Sequence, residues 1–233
     1  MAGPRRGSPV GLGALPPPRL RTVVPRGAIG VLGVAVVLAA ATTTYLTTRD
    51  STDPPGCREG QREDPERAAG LIALLSTTEA RDLLRRAPRP LRLCFTDTRI
   101  STVATDGVYT LAGRATDTEC AARLGHLLLH TVEGRPLPAH IDRSRPCDAV
   151  VREALEAEVR ANALELRLRR KLGVPLGAPE FPFEREFWDA APGERSGVLR
   201  TYFKAHPEGV LGVPGYVGIF TRRCEALRAG KKR

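Results

Sequence analysis

The sequence lacks the short motifs that mark the commonest catalytic sites. It contains no CxxC pair, no GxSxG and no glycine-rich phosphate loop. Without CxxC, a thioredoxin-like redox site or a cluster of metal-binding thiolates is disfavoured. Ser101 and Ser196 have no histidine at a spacing diagnostic of a serine hydrolase. Histidine is also scarce, and the four in the chain are His126, His130, His140 and His206.

Lysine is almost absent, and the net positive charge comes from the two ends of the chain. Arginine, alanine, glycine and proline are abundant instead, which is typical of a GC-rich bacterial genome. Residues 1–26 and 222–233 each carry a net charge of +5, which accounts for the whole formal charge of +10. Residues 27–221 are therefore neutral on balance. Because a nucleic-acid binder carries basic residues over its folded surface, we expect no nucleic-acid partner.

Charged residues are missing from residues 28–46, a run of 19. This length is close to the ~20 apolar residues that a transmembrane helix needs. All five charges before the run are arginines, so the positive-inside rule places the N-terminus in the cytoplasm and the remainder outside. We predict a single-pass anchor in the inner membrane, with a periplasmic or extracellular C-terminal domain.

A cleaved signal peptide is the alternative interpretation of this segment. Ala39-Ala40-Ala41 would supply the small residues of a cleavage site, and the product would be secreted. The region before the apolar run would then be about 27 residues, which is long for a signal peptide. The anchor is therefore preferred.

Composition divides the chain into four parts. Residues 1–27 are predicted to be a disordered basic tail, residues 28–46 the anchor, residues 47–63 a polar linker and residues 64–230 a folded domain. Strand and helix patterns within the domain predict an α+β fold.

Three strands are predicted, at residues 91–95, 100–104 and 108–111. Leu91, Leu93 and Phe95 alternate and should face inward. Asp-Gly between the second and third runs predicts a hairpin. We therefore expect a small antiparallel sheet.

Helices account for most of the remaining pattern. Ser76 and Glu79 match a capping box that would open a short helix ending at Arg86. Further helices are predicted from Pro65 and over residues 148–172, 184–190, 194–205 and 216–228. The one aromatic cluster, predicted to be a core patch, is Phe181, Phe183, Phe187 and Trp188.

The clearest helix runs from Thr116 to Gly134. Thr116 and Glu119 match a capping box at its start, and glycine ends it. His126 and His130 lie one turn apart on this helix, which is a spacing used by metal ligands.

Five cysteines follow the apolar run, and dispersed cysteines in an exported domain usually form disulfides. Their spacing leaves every pairing open. Cys147–Cys224 is the first choice, because each cysteine borders a predicted helix. Cys120, in the first turn of the central helix, is expected to be a disulfide partner or a packed thiol rather than a nucleophile.

Two helix motifs resemble those of zincin-type metallopeptidases, and in particular a small bacterial branch that includes peptidases acting on mobile-element repressors. That branch carries a helix similar to AHELGHLLLH and a later helix similar to ExxANxFAxxL. In this chain residues 121–130 are AARLGHLLLH and residues 158–166 are EVRANALEL. The resemblance covers about residues 91–170. It implies a zinc site with two histidines, a distal glutamate ligand and a catalytic glutamate.

Two of these four functional positions depart from the family pattern. Ala122 stands at the first histidine position and Arg123 at the catalytic glutamate position, whereas His126 and Glu158 match the other two ligands. Arginine stays protonated and cannot act as a base. The hydrolytic mechanism of the family therefore cannot run through these positions.

Three arrangements of this region remain. His126, His130 and Glu158 would form a shifted zinc site, with a base from elsewhere such as Glu133. Alternatively, no metal is bound and Arg123 forms an ion pair with Glu158 across the two helices. In the third arrangement, both histidines make ordinary hydrogen bonds and Glu158 faces solvent.

The leading functional hypothesis is a zincin-like domain that has lost peptidase activity and binds a protein or peptide along its sheet edge, with no cofactor. One alternative is a membrane-anchored zinc hydrolase that uses the shifted site. Another is a structural module of the cell envelope with no active site.

The predicted topology can be tested with fusions at the C-terminus. A reporter that works only outside the cytoplasm should be active when fused after Arg233, because the arginines before residue 28 stay inside. Activity of a cytoplasm-only reporter at the same position would contradict the prediction. A mature N-terminus near residue 42 would favour the signal peptide instead.

Overall fold

A computed structural model describes residues 56–98, 102–103, 107–134, 136, 142, 144–210 and 213–230. These residues belong to one compact unit, Ser51–Arg233, and form an α+β fold of seven helices and six short strands. The predicted tail and anchor, residues 1–46, lie outside the described residues. Within the described part of the chain, no helix is long and apolar enough to span a membrane.

Short strands and helices occur in small groups along the described chain. In chain order the elements are β1 (Gln61–Glu63), α1 (Pro65–Ser76), α2 (Arg81–Arg86), β2 (Arg92–Thr96), β3 (Thr102–Val103), β4 (Val108–Ala112), α3 (Asp117–Glu133), α4 (Cys147–Lys171), α5 (Glu184–Asp189), α6 (Arg195–Ala205), β5 (Gly209–Val210), β6 (Val213–Pro214) and α7 (Tyr216–Arg228).

The main sheet is mixed, so the predicted antiparallel sheet is wrong. Its strand order is β1-β2-β4-β3, and the central pair β2–β4 is parallel. The predicted β3–β4 hairpin does form, but β3 lies on the outer side of β4, so β2 and β4 run in the same direction. Leu93 and Phe95 are buried as expected, and so are Cys94 and Thr96 beside them. A strand covered on both faces is typical of parallel pairing.

The folded part begins earlier than the predicted boundary at residue 64. Strand β1 lies inside the predicted linker and pairs antiparallel with β2, with Glu63 opposite Cys94. The disulfide Cys57–Cys94 fastens the same segment to β2. Sequence patterns missed this strand because it has three residues, and two of them are exposed.

Helix starts were predicted with mixed success. Thr116 and Glu119 form the complete capping box of α3. The second capping box is wrong, because Ser76 belongs to the last turn of α1 and donates a hydrogen bond to the carbonyl of Ala73 at 2.7 Å. Glu79 instead forms a surface ion pair with Arg167 at 2.8 Å.

Helix α4 lies between two hydrophobic cores. One side packs with the sheet and α1 to α3, through Ala161, Leu164 and Leu168. The other packs with the aromatic cluster and with α6 and α7, through residues such as Leu155 and Leu166. A helix with apolar residues on opposite faces must be covered on both sides, so α4 is the central element of the described fold.

Two disulfides connect the described elements. Cys147–Cys224, the predicted pair, joins the start of α4 to α7. Cys57–Cys94 is the second, and Cys120 is a buried free thiol. Two disulfides fit an oxidising compartment.

Helices α3 and α4 approach closely at Gly125, which generates a stability prediction. A Cβ at Gly125 would overlap the side chain of Leu168, which is fully buried and cannot move without repacking. We expect Gly125→Ala to lower the free energy of unfolding by about 1–3 kcal/mol in a denaturant titration. Gly70→Ala is the matched control, because Gly70 is exposed on α1 with open space around it. The control should gain up to ~1 kcal/mol from helix propensity. Equal effects of the two substitutions would contradict the close approach.

Candidate metal centre

The candidate metal centre lies between a polar stripe on α3 and a polar stripe on α4. Arg123, His126 and His130 recur at three and four residues on α3, so they share one face. Glu158 and Glu165 lie two turns apart on the facing side of α4. His130 contacts Glu158, whereas Arg123 contacts Glu165, so the two helices run antiparallel at this contact.

The donor atoms of His126, His130 and Glu158 converge on one small volume. His130 Nε2 lies 3.1 Å from His126 Nε2 and 3.4 Å from Glu158 Oε1. His126 Nε2 lies 3.6 Å from Glu158 Oε2, and one donor set from all three residues falls within 4.8 Å. Zinc at its usual ligand distances has a tetrahedral edge of about 3.3 Å. The separation of the two nitrogens, and that of each nitrogen from its nearer oxygen of Glu158, are therefore close to this edge.

The site is buried and short of positive charge. His126, His130 and Glu158 are 4%, 6% and 7% exposed, and Glu158 Oε2 has no hydrogen-bond partner among the described residues. With neutral histidines, the two buried carboxylates Glu158 and Glu165 face one arginine, Arg123. Buried charges are normally paired or coordinate a metal. The centre therefore favours an added positive charge, which either a proton on a histidine or a metal ion would supply.

Glu165 connects the centre to Arg123, and the predicted Arg123–Glu158 pair is wrong. Arg123 Nη1 lies 3.0 Å from Glu165 Oε2, which also lies 3.0 Å from His126 Nδ1. Because Glu165 contacts Nδ1, it orients the imidazole and leaves Nε2 facing Glu158. Helical spacing seven residues beyond Glu158 was the signal that would have identified Glu165 from the sequence.

The two helices shift the pKa values of their facing groups in opposite directions. Burial alone would lower the pKa of His126, but its contacts with Glu158 and Glu165 outweigh burial and raise it. Burial alone would raise the pKa of Glu158, but His126 and His130 outweigh it and hold the pKa at about 2. The carboxylate is therefore ionised at neutral pH, as a metal ligand must be.

Helix α7 supplies a phenol that the sequence patterns did not reveal. Asn162, one turn beyond Glu158 on α4, donates from Nδ2 to the hydroxyl of Tyr216 at 3.4 Å and to the carbonyl of Glu158 at 2.9 Å. Burial, together with the negative charge of Glu158, raises the pKa of Tyr216 well above its usual range. Tyr216 therefore stays protonated and closes the α7 side of the centre.

The remaining predicted candidates lie elsewhere. Glu133, suggested as a base, is at the surface in an ion pair with Arg160 at 3.2 Å. His206 contacts the carbonyl of Tyr202 at 2.9 Å, and His140 lies outside the described residues. Neither Glu133 nor His206 belongs to the centre.

A cleft of about 340 Å³ opens beside the centre, on the side of Arg123 and Glu165. It lies at the carboxyl ends of β2 and β4, next to the start of α3. Cys120 and Phe181 form part of its lining. Glu165 belongs to this lining and also contacts His126, so it connects the cleft to the centre.

Comparison with known proteins does not identify the chain. No family model, curated protein or solved structure matches it. The resemblance to zincins is thus a hypothesis based on two helix motifs.

The environment of Cys120 predicts low reactivity. Burial raises the pKa of the thiol to about 11, and Arg67 only partly opposes this shift. The thiolate is the nucleophile. A thiol pKa that is higher by two units lowers the thiolate population at pH 8 about hundredfold. Alkylation by iodoacetamide should be at least that much slower in the native than in the unfolded chain, and should accelerate about tenfold per pH unit up to pH 11. A native titration midpoint at or below about pH 8.5 would contradict the prediction.

Proposed function

We propose that this chain is an exported, membrane-anchored domain that binds zinc at His126, His130 and Glu158 and acts by binding a protein or peptide rather than by hydrolysis. The observation that carries the zinc assignment is the convergence of two imidazole nitrogens on one buried carboxylate. The two Nε2 atoms are 3.1 Å apart, and that of His130 lies 3.4 Å from Oε1 and that of His126 3.6 Å from Oε2 of Glu158. Zinc there would supply charge compensation and a link between α3 and α4.

The surroundings of the donors support a non-catalytic role. A hydrolytic zinc site needs a base that can reach the metal-bound water. The residue after His126 is Leu127, and Arg123 occupies the family's glutamate position. Among the described residues, the nearest further carboxylate contact is Glu165, which lies on the Nδ1 side of His126, away from Nε2.

Export is supported by the two disulfides and by the uncharged run before residue 47. The protein- or peptide-binding role follows the zincin resemblance. A domain that has lost its catalytic base can still bind a peptide beside its sheet.

Zinc binding is tested on the full chain purified in detergent. We expect about one zinc per chain by elemental analysis, because the three donors form one site. Chelator should lower the melting temperature by roughly 5–15 °C, since a ligand at a thousandfold its Kd contributes about 4 kcal/mol. His130→Ala should remove both the metal and the chelator effect, whereas the control His206→Ala should keep both.

Absence of zinc after purification with added zinc, together with a melting temperature unaffected by chelator, would refute the metal centre. The non-catalytic role has its own test on the zinc-loaded protein. Hydrolysis of a mixed peptide substrate by the wild type, abolished by Glu158→Ala, would favour the anchored zinc hydrolase instead.

A further inference from the structure

The cleft beside the centre is lined by two guanidinium groups whose hydrogen-bonding capacity is largely unused. Arg123 and Arg169 both line it. Each guanidinium carries five N–H donors. Arg123 uses Nη1 on Glu165. Arg169 is 4% exposed and donates from Nη2 to the carbonyl of Pro175 at 3.4 Å.

Arg169 carries the clearest unmet donor. Its Nε lies 3.5 Å from Glu184 Oε1 but has no hydrogen-bond acceptor among the described residues. A buried donor without an acceptor carries a desolvation penalty. The ion pair with Glu184 offsets part of this penalty, and an acceptor bound in the cleft would add a partner for the other N–H groups of the same guanidinium.

Phe181 holds the two guanidinium groups in place. Arg169 lies over the ring at 4.5 Å from its centroid, and Arg123 lies over it at 5.8 Å. Phe181 is itself 4% exposed, so the ring is fixed by the core beneath it. Stacked guanidiniums are preorganised, which lowers the cost of ordering them around a ligand.

The carboxylates of the lining restrict the charge of the ligand. Asp97, Glu119, Glu165 and Glu180 line the cleft beside Arg114, Arg123 and Arg169, so its net charge is not positive. A polyanion such as nucleic acid is therefore disfavoured. A single planar carboxylate matches the fork of a guanidinium. Among the lining carboxylates, Glu119 already accepts the capping hydrogen bonds of Thr116.

We propose that Arg123 and Arg169 bind the carboxylate of a peptide, either its C-terminus or an acidic side chain. This deepens the proposed binding function and rests on it. A volume of about 340 Å³ lies at the small end of ligand cavities. It leaves room for the carboxylate and the residue that bears it.

The test uses three synthetic peptides titrated into the full chain in detergent, followed by calorimetry. The peptides are acetyl-Ala-Ala-Ala with a free carboxylate, the same peptide as its C-terminal amide, and amidated acetyl-Ala-Glu-Ala. At least one carboxylate peptide should bind about ten times more tightly than the neutral amide, because only a carboxylate presents two negatively charged oxygens to the guanidiniums. The tighter of the two identifies the source of the carboxylate. Equal binding of all three, or no binding at millimolar concentration, would overturn the proposal.

Variants locate the binding in the cleft. Arg123→Gln should weaken the carboxylate peptide at least tenfold. Arg169→Lys should also weaken it, because lysine keeps the charge but lacks the fork. The matched control is Arg167→Gln, on the same helix but in a surface pair with Glu79, and should bind normally. Undiminished binding by folded Arg123→Gln and Arg169→Lys would refute the site.

Zinc measured on the same samples separates this inference from the proposed function. Carboxylate binding without zinc would support the binding site in the cleft and refute the metal centre. Zinc binding without selectivity for the carboxylate would do the reverse.

Discussion

The described fold depends on how two buried carboxylates are neutralised. Glu158 and Glu165 project from α4 into its contact with α3, where Arg123 supplies the one permanent positive charge in contact with either of them among the described residues. An unpaired buried ion costs several kcal/mol after relaxation. The contact between the two helices therefore requires a further cation. His126 and His130 supply that charge either by taking up a proton or, as proposed above, by holding a metal ion.

Because of the position of α4, the neutralisation of its two carboxylates affects the packing of the whole described domain. The helix packs on α3 with one side and on α6 and α7 with the other, so both cores depend on its placement. Gly125 and Ala161 allow the close approach that brings the histidines to Glu158. Tyr216 and Asn162 join α7 to the same point. Neutralising Glu158 thus acts on three helices at once.

Local signals in the sequence predicted the helices well and singled out His126, His130 and Glu158, which the fold brings together. Residues four apart on one helix share a face, so His126 and His130 could be paired without a structure. The sheet was mispredicted because strand direction depends on where β3 lies, which is a non-local matter. Arg123 was assigned to Glu158 because the choice between Glu158 and Glu165 depends on the axial offset of two packed helices. In the sequence, Glu165 and Arg169 look like the polar side of an amphipathic helix. In the structure, α3 and Phe181 cover them.

The disulfide Cys57–Cys94 has a mechanical consequence. A pull on the chain before residue 57 would ordinarily peel away β1, which is a three-residue strand. The covalent bond instead carries the load directly to Cys94, in a strand with neighbours on both sides. Tension is then resisted by shear along the paired strands β2 and β4 rather than by unzipping of β1 from its edge. In the anchored arrangement proposed above, force from the membrane would therefore bypass β1 and reach β2 through the covalent bond.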